Sequence, residues 1–168
     1  MRHDTRTVGS ESNVVRQLEV RRHAQRDPSE DRLTREGRAQ AEDVGRSWGI
    51  TYSIVFVSPA QRAAETAAWM LRGSGQQLPH HEVIPGLAGK DASDGSPEGM
   101  AVGLRMLLER VPRGERGLAI SHTPLVERGV LGLVGREIAP LGECEGVLLE
   151  LDDGGAIAVE EIRVPAGP

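Results

Sequence analysis

The chain has 168 residues, 38% of them hydrophobic and 27% charged, with a formal net charge of −5; this suits one soluble domain with a true hydrophobic core. The acidic balance argues against general nucleic-acid binding. No run approaches the roughly 18 apolar residues of a membrane span, and no signal-peptide core is present. The single cysteine, Cys144, excludes an internal disulfide, so the expected setting is a reducing cytoplasm.

Residues 1–13 are polar and without hydrophobic period, and are expected to form a flexible tail; the Arg2-His3 pair within them has no strand to hold it. From Val14 to Arg22, Leu18 and Val20 alternate with polar residues, the period of a half-buried strand. His23 falls at its C-terminal end, where open α/β sheets bind ligands. Residues 24–32 read as a charged loop over that position. Thr34 can cap a helix from Arg35 to Trp48 whose packed face would hold Ala39, Ala41, Val44 and Trp48. Tyr52 to Val57 reads as a strand. Ser58-Pro59-Ala60-Gln61 then resembles a capping box with proline at the first helical position, opening a helix to about Arg72.

His80 to Ile84 reads as a short strand and residues 86–95 as irregular. Ser96-Pro97-Glu98 starts a helix running to Val111, and Gly117 to Ser121 is a further strand. His122 follows, and Thr123-Pro124 repeats the cap-and-proline start for a helix to Val134. Two alternating runs, 146–151 and 156–164, flank Asp152-Asp153-Gly154-Gly155, a hairpin signal. The order predicts an α/β fold with a hairpin finish, organised as one domain over 14–164 with a short tail at 165–168.

The chemistry lies at the strand ends. In a parallel sheet His23, Arg62 and His122 would meet in one crevice outside the carboxyl edge. Helical side chains lean toward the N-terminus, so Arg62 should point into it, and the helices after Ser58 and Thr123 would aim backbone N–H groups there as well. Through Arg72 the chain carries twelve basic against ten acidic residues, and eight against fifteen thereafter, which leaves positive charge near the crevice. A neutral imidazole can attack phosphorus and carry the phosphoryl group. Arg22 and Arg62 present planar forks suited to phosphate oxygens, and His122 would add a contact. This mechanism calls for no metal and no cofactor.

Two other clusters lead elsewhere. His80-His81-Glu82 cannot chelate together, because neighbouring strand residues point to opposite faces. Acidic neighbours on both sides of Cys144 discourage a thiolate.

Val20-Arg21-Arg22-His23-Ala24, Leu33-Thr34-Arg35-Glu36-Gly37-Arg38-Ala39-Gln40-Ala41, Ser58-Pro59-Ala60-Gln61-Arg62-Ala63-Ala64-Glu65-Thr66-Ala67 and Ser121-His122-Thr123-Pro124 together resemble the successive signatures of the histidine phosphatase superfamily, the phosphoglycerate-mutase-like group. The likeness spans Gln17 to Leu151. It implies a three-layer α/β/α sandwich around a mostly parallel mixed sheet, with His23 as the phosphorylated nucleophile and Arg22, Arg62 and His122 as the phosphate pocket.

The usual glycine after the histidine is Ala24, a small departure. A larger one concerns the general acid: the Leu-x-Glu context of many members reads Leu87-Ala88-Gly89 here. Glu82 is the nearest upstream carboxylate and the candidate acid, while Asp91 and Asp94 lie downstream. The missing acid, the short chain and the His122-Thr123-Pro124 context look most like the small phosphohistidine phosphatase branch, whose phosphoramidate leaving group can carry its own proton. The expected partner is then a phosphorylated protein. The alternative is a phosphatase for a small phosphorylated metabolite, and the third reading an inert phosphate-binding protein. Mutase activity fits least, because the chain lacks the long insertions of the resembling mutases.

Overall fold

The structure, a computed structural model, describes residues 14–77, 80–90 and 94–165. The expected tail 1–13 with its Arg2-His3 pair, residues 166–168 and Asp91 lie outside the described residues. The elements in chain order are β1 (Arg16–Arg22), α1 (Arg35–Trp48), β2 (Ile54–Val57), α2 (Gln61–Gly73), β3 (His81–Val83), a 3₁₀ turn (Pro85–Ala88), α3 (Pro97–Arg110), β4 (Arg116–Ser121), α4 (Leu125–Val134), β5 (Gly146–Leu151) and β6 (Ile157–Ile162).

The strands form one sheet in the order β3-β2-β4-β1-β5-β6. The first four run parallel, and β5 and β6 are antiparallel additions, as expected where βαβ crossovers end and a hairpin begins. Strand alternation sorts the core into two layers. Leu18, Val20, Phe56 and Ala119 pack with Leu104, Leu108, Val126 and Val130 of α3 and α4. Val55, Val57, Leu118 and Ile120 face Ala41, Val44, Met70 and Leu71 of α1 and α2. Fully burying each such aliphatic side chain contributes about 1.5–3 kcal/mol. The result is an α/β/α sandwich around a mixed, mostly parallel sheet.

Helix α1 has the predicted bounds. Thr34 accepts from Gly37 N, and Gly49 (φ 63) closes the helix through Gly49 N to Gly45 O. A Cβ at Gly37 would overlap the carbonyl oxygen of Gln25, so glycine there lets α1 press against the loop that follows His23.

Differences from the sequence expectation have local causes. Strand β2 starts at Ile54 rather than Tyr52, because the side chain of Gln76 takes both Tyr52 N and Tyr52 O out of the ladder. Strand β6 ends at Ile162 because Val164 N donates to Glu145 instead. On α1, Ala39 and Trp48 are exposed rather than packed. The Trp48 indole N–H instead reaches the carboxylate of Glu19, a fully buried acid on the α1 face of β1. Tyr52, Arg21 and Arg116 complete that carboxylate's partners.

Candidate active site

Register brings three chain segments to one edge. Arg22 of β1 pairs with Ser121 of β4, and Ile120 of β4 with Val57 of β2, so His23, His122 and Ser58 all leave the sheet at the same carboxyl end. Alternation sends Arg21 into the buried Glu19 network and Arg22 the other way. Arg22 is anchored by Nη1 on Leu141 O at 2.9 Å.

His23 is buried, and its tautomer is decided by its neighbours. Nδ1 lies 2.7 Å from the carbonyl oxygen of Ala24, which can only accept, so Nδ1 carries the proton. Nε2 keeps its lone pair and accepts from Nε of Arg62 at 3.2 Å. Burial lowers the pKa of His23 to about 4; the Ala24 carbonyl opposes this, and the charges of Arg62, Arg22 and Arg26 reinforce it. At neutral pH this histidine is an uncharged imidazole with its free nitrogen facing an arginine.

His122 stands in edge-to-face contact with it, ring centroids 5.3 Å apart. Arg62 Nη2 can only donate, and it lies 3.4 Å from His122 Nδ1. The ring proton therefore sits on Nε2 and is donated to Ser58 Oγ at 2.7 Å. Burial, then Arg62 and His23, bring the pKa of His122 down to about 4 as well.

Arg62 is the hub. Besides both histidines it holds Asp31 through Nη1 at 2.9 Å, and the same carboxylate accepts from Gln61 N (2.9 Å) and Arg62 N (3.2 Å) at the start of α2. Burial pushes the Asp31 carboxyl up, but these backbone hydrogen bonds and the guanidinium outweigh it and hold it below the usual carboxylate range. Thr66 Oγ1 accepts from Ala24 N and donates to Arg62 O, tying the loop after His23 to the helix that carries the arginine.

The Nε of Arg22 is buried without a hydrogen-bond partner. A buried charge-bearing donor left unpaired is costly, and an anion in the crevice would relieve it. Two guanidinium groups, one of them with an unpaired N–H, beside two neutral imidazoles give this crevice the kind of donors that suit an anion. Among the described residues, no group of three His, Cys, Asp or Glu side chains could hold a metal ion.

Residues 14–91 match the model of the histidine phosphatase superfamily, branch 1. That match supports phosphatase chemistry. Among curated proteins no sequence matches this chain. Its fold aligns with the protein histidine phosphatase SixA complexed with tungstate at a TM-score of 0.69 and 25% identity, covering 88% of this chain and 96% of that one. A phosphoserine phosphatase from Entamoeba histolytica aligns at 0.68 and 16% identity, with 89% and 97% covered. A phosphoglycerate mutase from Bacillus anthracis aligns at 0.65 and 18%, with 92% and 95% covered. The last two share the fold.

Glu82 does not join this crevice. It makes a bidentate ion pair with Arg110 at the C-terminal end of α3 (3.0 and 2.5 Å), and that end of α3 lies beside Gly117, where β4 starts. Its candidacy as general acid is therefore withdrawn on geometry. Asp94 is turned onto Ser96 N and Oγ.

Neither of the two caps predicted at the crevice, Ser58 and Thr123, forms. Helix α2 begins at Gln61 after Ala60, with no side-chain cap of its own. Ser58 is released to hold His122, and Asp31 satisfies the helix's first amides from across the crevice. Helix α4 begins after Pro124, and Thr123 donates to Glu127 rather than capping. The Thr123–Pro124 peptide is cis. Sequence reasoning thus missed Ser58, Thr66 and Asp31 as parts of the site. Asp31 gives no local signal, because its partners lie thirty residues further along the chain.

Proposed function

We propose that this protein is a metal-independent phosphatase that works through a covalent phosphohistidine on His23, and that its substrate is phosphohistidine on another protein. The observation that carries the reading is the state of His23: Nδ1 committed to Ala24 O, Nε2 uncharged and aimed at Arg62. Such a nitrogen is ready for in-line attack on phosphorus. Arg22 and Arg62 bind the transferring oxygens, with Arg22 Nε gaining the partner it lacks. His122, donating or protonated once the phosphoryl dianion arrives, stabilises the developing charge.

The leaving group favours a phosphoramidate. The carboxylate present on the Arg62 guanidinium, Asp31, is held ionised and has no proton to give, while Glu82 is tied to Arg110. An alkyl ester oxygen needs a proton as it leaves. The nitrogen of a phosphoramidate brings one with it. The likeness to SixA at 25% identity over nearly all of that chain supports the same substrate class. A small phosphorylated metabolite is the second reading, favoured only by the fold shared with the phosphoserine phosphatase.

The test is to incubate the full chain with a phosphohistidine-bearing protein and, separately, with a panel of phosphate esters. The expected result is an alkali-stable, acid-labile phosphoenzyme absent from His23→Ala, and turnover highest on phosphohistidine. A fully active His23→Ala variant would overturn the mechanism, and a clear preference for one ester would overturn the substrate.

A further inference from the structure

The second half-reaction needs something the first does not. Once His23 carries the phosphoryl group, water must attack phosphorus, and the attack is assisted by a base that is ionised and close to the phosphoryl oxygens. From the arrangement around Arg62 we infer that Asp31 is that base. The inference rests on the phosphohistidine reading above and goes beyond it.

One guanidinium joins the two groups: Nε of Arg62 faces His23 Nε2 at 3.2 Å, and Nη1 faces Asp31 Oδ1 at 2.9 Å. A phosphoryl group on Nε2 held by Arg62 is therefore flanked by the Asp31 carboxylate. The carboxylate is placed by its loop rather than by chance. Asp27 Oδ1 accepts from Ser29 N, Ser29 Oγ and Glu30 N, and Asp27 N donates to Arg32 O at 2.7 Å. Arg26 and Leu33 form an isolated antiparallel bridge. Buried Leu33 anchors the far end, its N–H held by Glu65 at 2.6 Å. The loop is thus closed at its base and turned within, and Asp31 stands at its inner side with the crevice end of α2 as its receptor. The Asp31 side chain remains 45% exposed, so water reaches it.

In the step itself, the oxygen of a water molecule bonds to phosphorus as the bond from phosphorus to His23 Nε2 breaks. The water proton passes to the Asp31 carboxylate, the bonding pair returns to Nε2, and His23 is restored as the Nδ1–H tautomer that Ala24 O holds. Inorganic phosphate departs and Asp31 loses its proton to solvent.

Asp31→Asn separates this role from a structural one, because an amide oxygen in the Oδ1 position still accepts from Arg62 N and the guanidinium, losing only the Gln61 N–H contact of Oδ2, but is no base. The full chain is phosphorylated with phosphoramidate, quenched in alkali to measure loading, and, after removal of the donor, followed for loss of phosphate from His23. In D31N loading is expected to stay within about threefold of wild type while decay slows about 100-fold, a typical loss for a positioned general base. Asp31→Glu should recover part of the decay rate. Decay at the wild-type rate in D31N overturns the assignment, and so does equal slowing of loading and decay, which would mean that Asp31 only positions Arg62. Absence of any phosphoenzyme on the wild-type chain overturns the parent reading, and the assignment with it.

Discussion

Ser58 Oγ and His122 Nε2 lie 2.7 Å apart, and this contact fixes which nitrogen of His122 faces Arg62. Ser58 is buried and also accepts from Ala60 N. Ser58→Ala removes the acceptor that holds the Nε2 proton, so the ring is free to turn away from the phosphate. Loss of one neutral hydrogen bond should cost about 1 kcal/mol of stability. The expected effect on kcat/KM is larger than that global loss implies, about 10- to 100-fold, as for other residues that orient a reacting ligand. Steady-state kinetics beside urea unfolding would check it; a drop in activity no larger than tenfold with full loss of stability would deny the orienting role.

Both histidines give a pH dependence whose sign follows from their lowered pKa values. An unfolded chain binds protons at histidine near pH 6.5, whereas folded His23 and His122 take them up only near 4. Between these values the unfolded state holds more protons, so stability is complete above about 6.5 and is lost as pH falls toward 4. Arg62, Arg22 and Arg26 press in the same direction, and Asp31 opposes them at His122. Unfolding followed by denaturant from pH 7 to 4 should show this loss, and His122→Asn should remove part of it. NMR titration of the His23 ring should place its midpoint near 4; a midpoint at the ordinary value would contradict the burial argument.

Arg22 supplies the pocket's unpaired donor. Arg22→Lys keeps the positive charge but loses the planar fork, leaving neither the Leu141 contact nor the Nε–H in place. Hydrogen bonds to charged groups contribute about 1.5–3 kcal/mol, so inorganic phosphate should bind at least tenfold more weakly to the variant by titration calorimetry. Unchanged binding would show that Arg22 Nε is not aimed at the anion.

The skeleton of this site is legible in the sequence because it follows from short-range rules. Alternation at Leu18 and Val20 finds β1 and sets His23 at its end, and Thr34 marks the start of α1. What escapes are choices made between distant groups. Ser58-Pro59-Ala60-Gln61 satisfies every local requirement of a capping box, yet the Asp31 carboxylate offers the α2 amides a charged acceptor plus an ion pair with Arg62, and Ser58 goes to His122 instead. Glu82 is likewise undecidable from its strand: its long side chain is drawn by Arg110, whose position depends on where α3 ends.

The Glu19 network makes a final, purely structural demand on the same strand that presents His23. Glu19 is wholly buried and accepts from Trp48, Tyr52, Arg116 and Arg21, the last of these also buried and donating to Cys144 O. Glu19→Ala leaves the Arg21 charge inside the protein without its counter-ion, and breaking one half of a buried pair costs about 3–5 kcal/mol. Tyr52 and Trp48 lose their acceptor as well. Because Arg21 lies two residues before His23, the variant should unfold at markedly lower denaturant while the fraction still folded keeps the His23–Ala24 geometry and its ability to be phosphorylated. Denaturant unfolding measured alongside phosphoenzyme yield per folded molecule would check both halves; an unfolding free energy within about 0.5 kcal/mol of wild type would mean the buried pair is no more than neutral.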